Sequence, residues 1–170
     1  MSKPQLYLFV GHPGAGKTTI AQIIQQKTGA VHLWADVERH RMFDQPTHSL
    51  QESQRLYEHL NDTAEQLLAS GKSVVFDTNF NFYEDRQKLR DIADRQGAET
   101  IIIWVTTPLE VAKSRAVHAQ VIRNGYAVIM SEGQFDAIAA KLEPPTEAEK
   151  VIKIDGTKLD QEELLRLLSL

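Results

Sequence analysis

Residues Gly11-His12-Pro13-Gly14-Ala15-Gly16-Lys17-Thr18 spell G-x-x-x-x-G-K-[ST] with no position missing. The apolar run Leu6-Tyr7-Leu8-Phe9-Val10 precedes them, and Thr19-Ile20-Ala21-Gln22-Ile23-Ile24 follows with apolar residues at helical spacing. A segment that must run strand, tight glycine turn, helix has few folds open to it. Successive backbone N–H groups in such a turn converge on one point and cradle anionic oxygens, and the helix N-terminus adds its partial positive charge. Lys17 is then placed to reach β- and γ-phosphates, and Thr18 to offer its hydroxyl to Mg²⁺. Gly11, His12, Pro13, Gly14, Ala15, Gly16, Lys17, Thr18 and Thr19 are therefore expected to bind a nucleoside triphosphate with Mg²⁺.

At 170 residues the chain is expected to be one domain with a full hydrophobic core. It has no cysteine, which excludes disulfides and thiolate metal sites and points to a reducing compartment. The apolar run before Gly11 is too short for the core of a signal peptide, and no stretch has the length of a membrane span. A cytoplasmic location is the expectation. The net charge of −4 argues against a partner held by its phosphate backbone, although a local basic cleft remains compatible with it.

Strand and helix patterns alternate along the chain, as in an α/β fold with a mainly parallel sheet. After the first strand, Val31–Ala35 reads as a second strand, with Asp36 capping a short helix through Met42. Ser49-Leu50-Gln51-Glu52 reads as a capping box ahead of an amphipathic helix ending near Gly71. Ser73–Phe76 forms a buried strand ending at Asp77. A helix from Tyr83 to Gln96 leads to the strand Thr100–Val105. Thr107-Pro108-Leu109-Glu110 supplies a helix start with N-cap, N1 proline and N3 glutamate. The segment 119–130 lacks clean periodicity. A helix over Ser131–Leu142, a strand over Val151–Ile154 and a helix over Leu159–Leu168 complete the pattern.

Ligands of doubly wound sheets bind at the C-terminal ends of strands, and three strand ends here carry useful chemistry: the glycine loop, Asp36, and Asp77-Thr78-Asn79. That convergence suits phosphoryl transfer, which needs a carboxylate near the acceptor hydroxyl and a metal bridging the phosphates. On four segments the chain resembles the P-loop kinases related to the 5′-kinase domain of polynucleotide kinase, a group with zeta-toxin-like and chloramphenicol phosphotransferase-like members. The segments are the loop, Asp36-Val37-Glu38-Arg39, Val75-Phe76-Asp77-Thr78-Asn79-Phe80-Asn81 and Glu143-Pro144-Pro145-Thr146-Glu147-Ala148-Glu149. The resemblance implies a three-layer P-loop NTPase fold: a sheet of about five strands, helices on both faces and a small lid over about residues 116–131.

By position alone Asp36 reads equally as a helix cap and as a general base; the resemblance favours the base. It makes Lys17, Asp36 and Arg123 catalytic and adds Arg115 to the nucleotide site. Asp36, Arg39, Asp77, Thr78 and Asn79 become acceptor-binding, with Thr18 and Asp77 at the metal. Asp77 is followed by Thr-Asn rather than a second acid, so it orients Mg²⁺ through water or shapes the acceptor pocket. The lid departs from the group's pattern, with Arg115 and Arg123 well separated where relatives carry a denser run of arginines. His32 reads as a packing residue, Phe80, Phe82 and Tyr83 as core, and His40 and His48 show no metal-ligand spacing. The expected activity is transfer of the γ-phosphoryl group of ATP to a hydroxyl of a small molecule or a nucleic-acid 5′ end. The alternative is a nucleotide-binding or hydrolysing switch. Oligomeric state is not legible.

Overall fold

The computed structural model describes residues 2–118, 121–123, 126–128 and 130–170, and for 121–123 and 126–128 the backbone alone. Among them the elements run β1 (Gln5–Val10), α1 (Lys17–Thr28), β2 (Val31–Trp34), α2 (Ala35–Met42), α3 (Leu50–Ala69), β3 (Val74–Asp77), α4 (Tyr83–Arg95) and β4 (Glu99–Val105). Then come α5 (Leu109–His118), β5 (Val121–Arg123), β6 (Tyr126–Val128), α6 (Glu132–Ala139), β7 (Val151–Ile154) and α7 (Gln161–Leu167). Five strands form one parallel sheet in the order β2-β3-β1-β4-β7, while β5 and β6 pair separately and antiparallel. This is the α/β fold expected from the alternating pattern. The stretch 119–130, without periodicity, contains the β5–β6 pair.

β1 lies in the middle of the sheet and is buried on both faces, as parallel strands flanked by helices must be. Its alternating side chains sort into two cores. Leu6, Leu8 and Val10 pack with Leu56, Leu60 and Leu68 of α3 and Leu89 of α4. Tyr7 and Phe9 pack on the other face with Ile20 and Ile24 of α1 and Leu164 of α7. Phe80 joins the first core as expected, edge-on to Phe76 at 4.9 Å, whereas Phe82 and Tyr83 are exposed. Gly29, in the left-handed region at φ 71°, ends α1.

The capping box expected at Ser49 forms by half. Ser49 accepts from the Glu52 N–H, but the Glu52 carboxylate reaches past Ser49 to the N–H groups of Thr47 and His48. It is drawn there by Arg39 of α2, which donates to it at 2.6 Å. A complete capping box forms at the start of α6, between Ser131 and Gln134.

Arg86 of α4 is fully buried and ties the corner after β3 to the segment before β7. Its Nε donates to Glu149 at 2.7 Å and one terminal nitrogen donates to the Phe80 carbonyl at 2.8 Å. Glu149 also accepts from the Thr146 N–H at 2.7 Å. Burial alone would raise the Glu149 carboxyl, and the Arg86 and Thr146 hydrogen bonds outweigh it to hold the group below the usual range. The E-P-P-T-x-x-E segment is thus a strut. Removing one partner of a buried pair strands the other, so Arg86→Met is expected to cost about 3–5 kcal/mol in urea unfolding.

Candidate active site

The glycine loop after β1 is held open by groups far away in sequence. Asn81 clips its first residue like a neighbouring strand: Oδ1 accepts from the Gly11 N–H at 3.1 Å and Nδ2 donates to the Gly11 carbonyl at 3.2 Å. Gly14 and Gly16 adopt φ values of 77° and 108°, which side-chain-bearing residues rarely adopt. A methyl on Gly14 would also run into the Ala112 carbonyl of α5. From behind, Thr107 donates to the Ala15 carbonyl at 2.7 Å. Thr107 was expected to cap the following helix; its hydroxyl braces the loop instead. Gly156, after β7, completes the brace, because a methyl there would overlap both the Ala15 carbonyl oxygen and the Thr107 hydroxyl. Neither Asn81's role nor those of Thr107 and Gly156 was foreseen, since each depends on which strand ends become neighbours.

Pro13, Gly14, Gly16, Lys17, Thr18 and Thr19 line a cleft of about 570 Å³, with Gly11 and Ala15 buried behind them. The Lys17 ammonium donates to the Gly11 and His12 carbonyls at 3.1 and 2.7 Å. The His12 ring leans on Phe135 of α6, 6.2 Å between centroids. Burial, with the Lys17 charge second, lowers the His12 pKa and keeps its ring neutral. Thr18 Oγ1 lies 3.4 Å from Asp77 Oδ1. A hydroxyl and a carboxylate oxygen side by side are hard donors suited to Mg²⁺, which usually keeps several waters and takes few protein ligands beside phosphates. Among the described residues no cluster of three His, Asp or Glu side chains could hold a metal ion. The second Asp77 oxygen bonds His32 Nε2 at 3.0 Å, and the His32 ring stacks on Trp34 at 4.9 Å. His32, read as a packing residue, therefore also orients Asp77.

The cleft follows the strand order. Arg115 and Ala116 of α5 lie on its β4 side, and Asp77, Thr78 and Asn79 at the end of β3. Asp36 and His48 lie towards β2, whose strand is two neighbours, about 10 Å, from β1. Asp36 does not cap α2; the helix starts at Ala35 after an extended Trp34, leaving Asp36 in its first turn with its side chain at the cleft. Thr78 is fixed by Tyr57 of α3, hydroxyl to hydroxyl at 2.6 Å. Burial pushes the Tyr57 phenol up, so it stays protonated. His48 lines the cleft in the left-handed region, φ 56°, with its N–H held by Glu52.

Arg39 departs from expectation. One turn beyond Asp36, it points into the protein, donating to Glu52 at 2.6 Å and to Ser53 Oγ at 3.2 Å, and is 6% exposed. Helical spacing gave its position along α2, and the carboxylate on α3 decided its direction. Arg115 lines the cleft as expected and donates to the Gly156 carbonyl at 3.2 Å. Arg123 is the last residue of β5, and its side chain lies outside the described residues, as does much of the expected lid.

A family model described as an AAA domain matches residues 6–145. Comparison with curated protein sequences gives no match. Among solved structures, a proposed kinase from Chloroflexus aurantiacus J-10-fl is 20% identical, with a TM-score of 0.78 over 99% of this chain and 98% of its own. A Mycobacterium tuberculosis APS kinase solved with AMPPNP and APS is 17% identical, with a TM-score of 0.69 over 100% of both chains. A gluconokinase from Sinorhizobium meliloti 1021 is 18% identical, with a TM-score of 0.61 over 96% of this chain and 87% of its own. At these identities the likeness is one of fold.

Two outcomes are expected from the site's supports. Gly156→Ala should weaken binding of a fluorescent ATP analogue about tenfold, ~1.4 kcal/mol, while Gly133→Ala, where a methyl meets nothing within 4 Å, leaves it unchanged. Desolvation would raise the Glu52 carboxyl, but hydrogen bonds from Thr47, Arg39 and His48 overcome it and bring the pKa from 4.5 to about 2. The resulting stabilisation is complete above 4.5 and is lost as pH falls towards 2. Thermal melts of Glu52→Gln should accordingly show a shallower loss of stability across that window than the parent.

Proposed function

The chain belongs to the AAA-domain family, whose model covers residues 6–145, and from that premise we propose that it is an ATP-dependent phosphotransferase acting on a hydroxyl acceptor. The observation that carries this reading is one cleft lined by Lys17 and Thr18 from the glycine loop, Asp77 from β3 and Asp36 from α2. The kinase names of the solved structures with this fold support it. The D-T-N-F-N and E-P-P-T-x-x-E segments support a kinship with the polynucleotide 5′-kinase and zeta-toxin groups.

In the proposed reaction the acceptor hydroxyl enters from the β2 side, beside Asp36. Asp36 takes its proton as the acceptor oxygen bonds to the γ-phosphorus, and the bond from that phosphorus to the β,γ-bridging oxygen breaks, releasing ADP. Lys17 and the loop N–H groups offset the charge on the phosphate oxygens. Thr18 and Asp77 would hold Mg²⁺, which would supply charge neutralisation at the terminal phosphates. Thr78 and Asn79 contact the acceptor. Arg115, and Arg123 from a lid over about 116–131, add stabilising charge from the far side. The 170 residues work as one kinase domain. The cysteine-free composition supports a cytoplasmic setting, and no described helix is long and apolar enough to cross a membrane.

Asp36→Asn tests the central role. γ-Phosphoryl transfer from labelled ATP should fall by about 10²–10⁴, with affinity for the nucleotide unchanged in equilibrium titration. Retained activity in this variant would favour a nucleotide-dependent switch.

A further inference from the structure

The charges around the cleft are distributed unequally between its two ends. Among the described lining residues the permanent cations are Lys17 and Arg115, both on the P-loop side of β3. Towards β2 the lining offers the Asp36 carboxylate, the Thr78 hydroxyl, the Asn79 amide and the His48 ring. The cation that helical spacing would set beside Asp36 is Arg39, and its charge is matched inside the protein by Glu52. The other arginine near the end of β3, Arg86, is matched in the same way by Glu149. Both pairs are closed by further hydrogen bonds, to Ser53 and Thr47 in one case and to the Phe80 carbonyl and Thr146 in the other. Neither guanidinium keeps its charge for a ligand.

Resting on the phosphotransferase reading, we propose that this end of the cleft selects an uncharged polyhydroxyl acceptor, a sugar or polyol, and rejects acceptors whose bound part carries a phosphate, sulfate or carboxylate. An anionic group brought beside Asp36, which is exposed at the cleft, meets a like charge. An anion in such a place also needs charge-assisted donors, and the one arginine within a helical turn of Asp36 is committed to Glu52. A neutral hydroxylated ligand meets matched partners: a hydroxyl whose orientation Tyr57 fixes, an amide that both donates and accepts, and an imidazole. Sites built to hydrogen-bond hydroxyls discriminate strongly against ligands that leave those groups unpaired.

The test measures phosphoryl transfer from ATP–Mg²⁺ to paired acceptors, neutral sugars and polyols against the same compounds bearing a phosphate or carboxylate, with a 5′-hydroxyl oligonucleotide alongside. At least one neutral compound should be phosphorylated, with kcat/KM about tenfold or more above its anionic counterpart. An anionic member or the oligonucleotide as the better acceptor overturns the proposal. Glu52→Gln, which leaves the Arg39 charge unmatched, should narrow the preference for neutral acceptors, and an unchanged ratio counts against the role given to the pair. Inorganic sulfate, titrated calorimetrically into the protein saturated with a non-hydrolysable ATP analogue and Mg²⁺, reads charge selectivity without turnover. No binding at millimolar sulfate is expected, and saturable binding overturns the proposal. Transfer to no acceptor by a protein that binds ATP would defeat the phosphotransferase reading, and the sulfate titration would still decide the charge question.

Discussion

Everything at this site depends on the glycine loop keeping a backbone that few sequences tolerate. Gly11 and Ala15 lie outside β1 and α1, so no ladder or helix satisfies the backbone groups of Gly11 or the Ala15 carbonyl. The fold answers with three groups from elsewhere: Asn81 pairs with both backbone groups of Gly11, the Thr107 hydroxyl takes the Ala15 carbonyl, and Gly156 gives way so that this can happen. These residues follow β3, β4 and β7, the strands on either side of β1 and one beyond. The loop is therefore positioned by the sheet as a whole, and the Lys17 and Thr18 side chains inherit their places from it.

A second constraint is the handling of buried charge. Arg39 with Glu52 and Arg86 with Glu149 each join two segments distant in sequence. Buried pairs of this kind add little net stability over an apolar packing of the same shape. What they define is register: α2 against α3 in one case, and the corner after β3 against the approach to β7 in the other. Glu52 also gathers Thr47 and His48, so the same carboxylate that turns Arg39 inward holds the backbone of His48, a residue of the cleft lining.

The loop was legible because its chemistry lies in consecutive residues, and the α/β class because strand and helix patterns alternate at their own periods. Asp36, Asp77, Thr78 and Asn79 could be read as site residues because parallel sheets put their strand ends together, and all four line the cleft. Arg39 marks where that reasoning stops: a helical period predicts a face, and the facing helix determines what that face meets. Glu52 looked like a local capping residue for the same reason, and Thr107 like a helix cap, since each sits at a spacing where the local bond is available. His32 in an apolar strand gave no sign that Asp77 would end the neighbouring strand within hydrogen-bonding reach. Strand order and helix pairing, which decide these cases between them, are long-range properties that short-range patterns do not encode.

That order also fixes a sequence of events. β1 comes before every other strand in the chain, yet its partners are β3, some 65 residues later, and β4, later still. During synthesis β1 emerges before either strand that flanks it, and the glycine loop before Asn81 and Thr107, which hold it. The last of its supports, Gly156, follows β7. A nascent chain thus carries the complete phosphate-binding motif well before the residues that hold it in shape, and β1 stays without its partner strands in that interval.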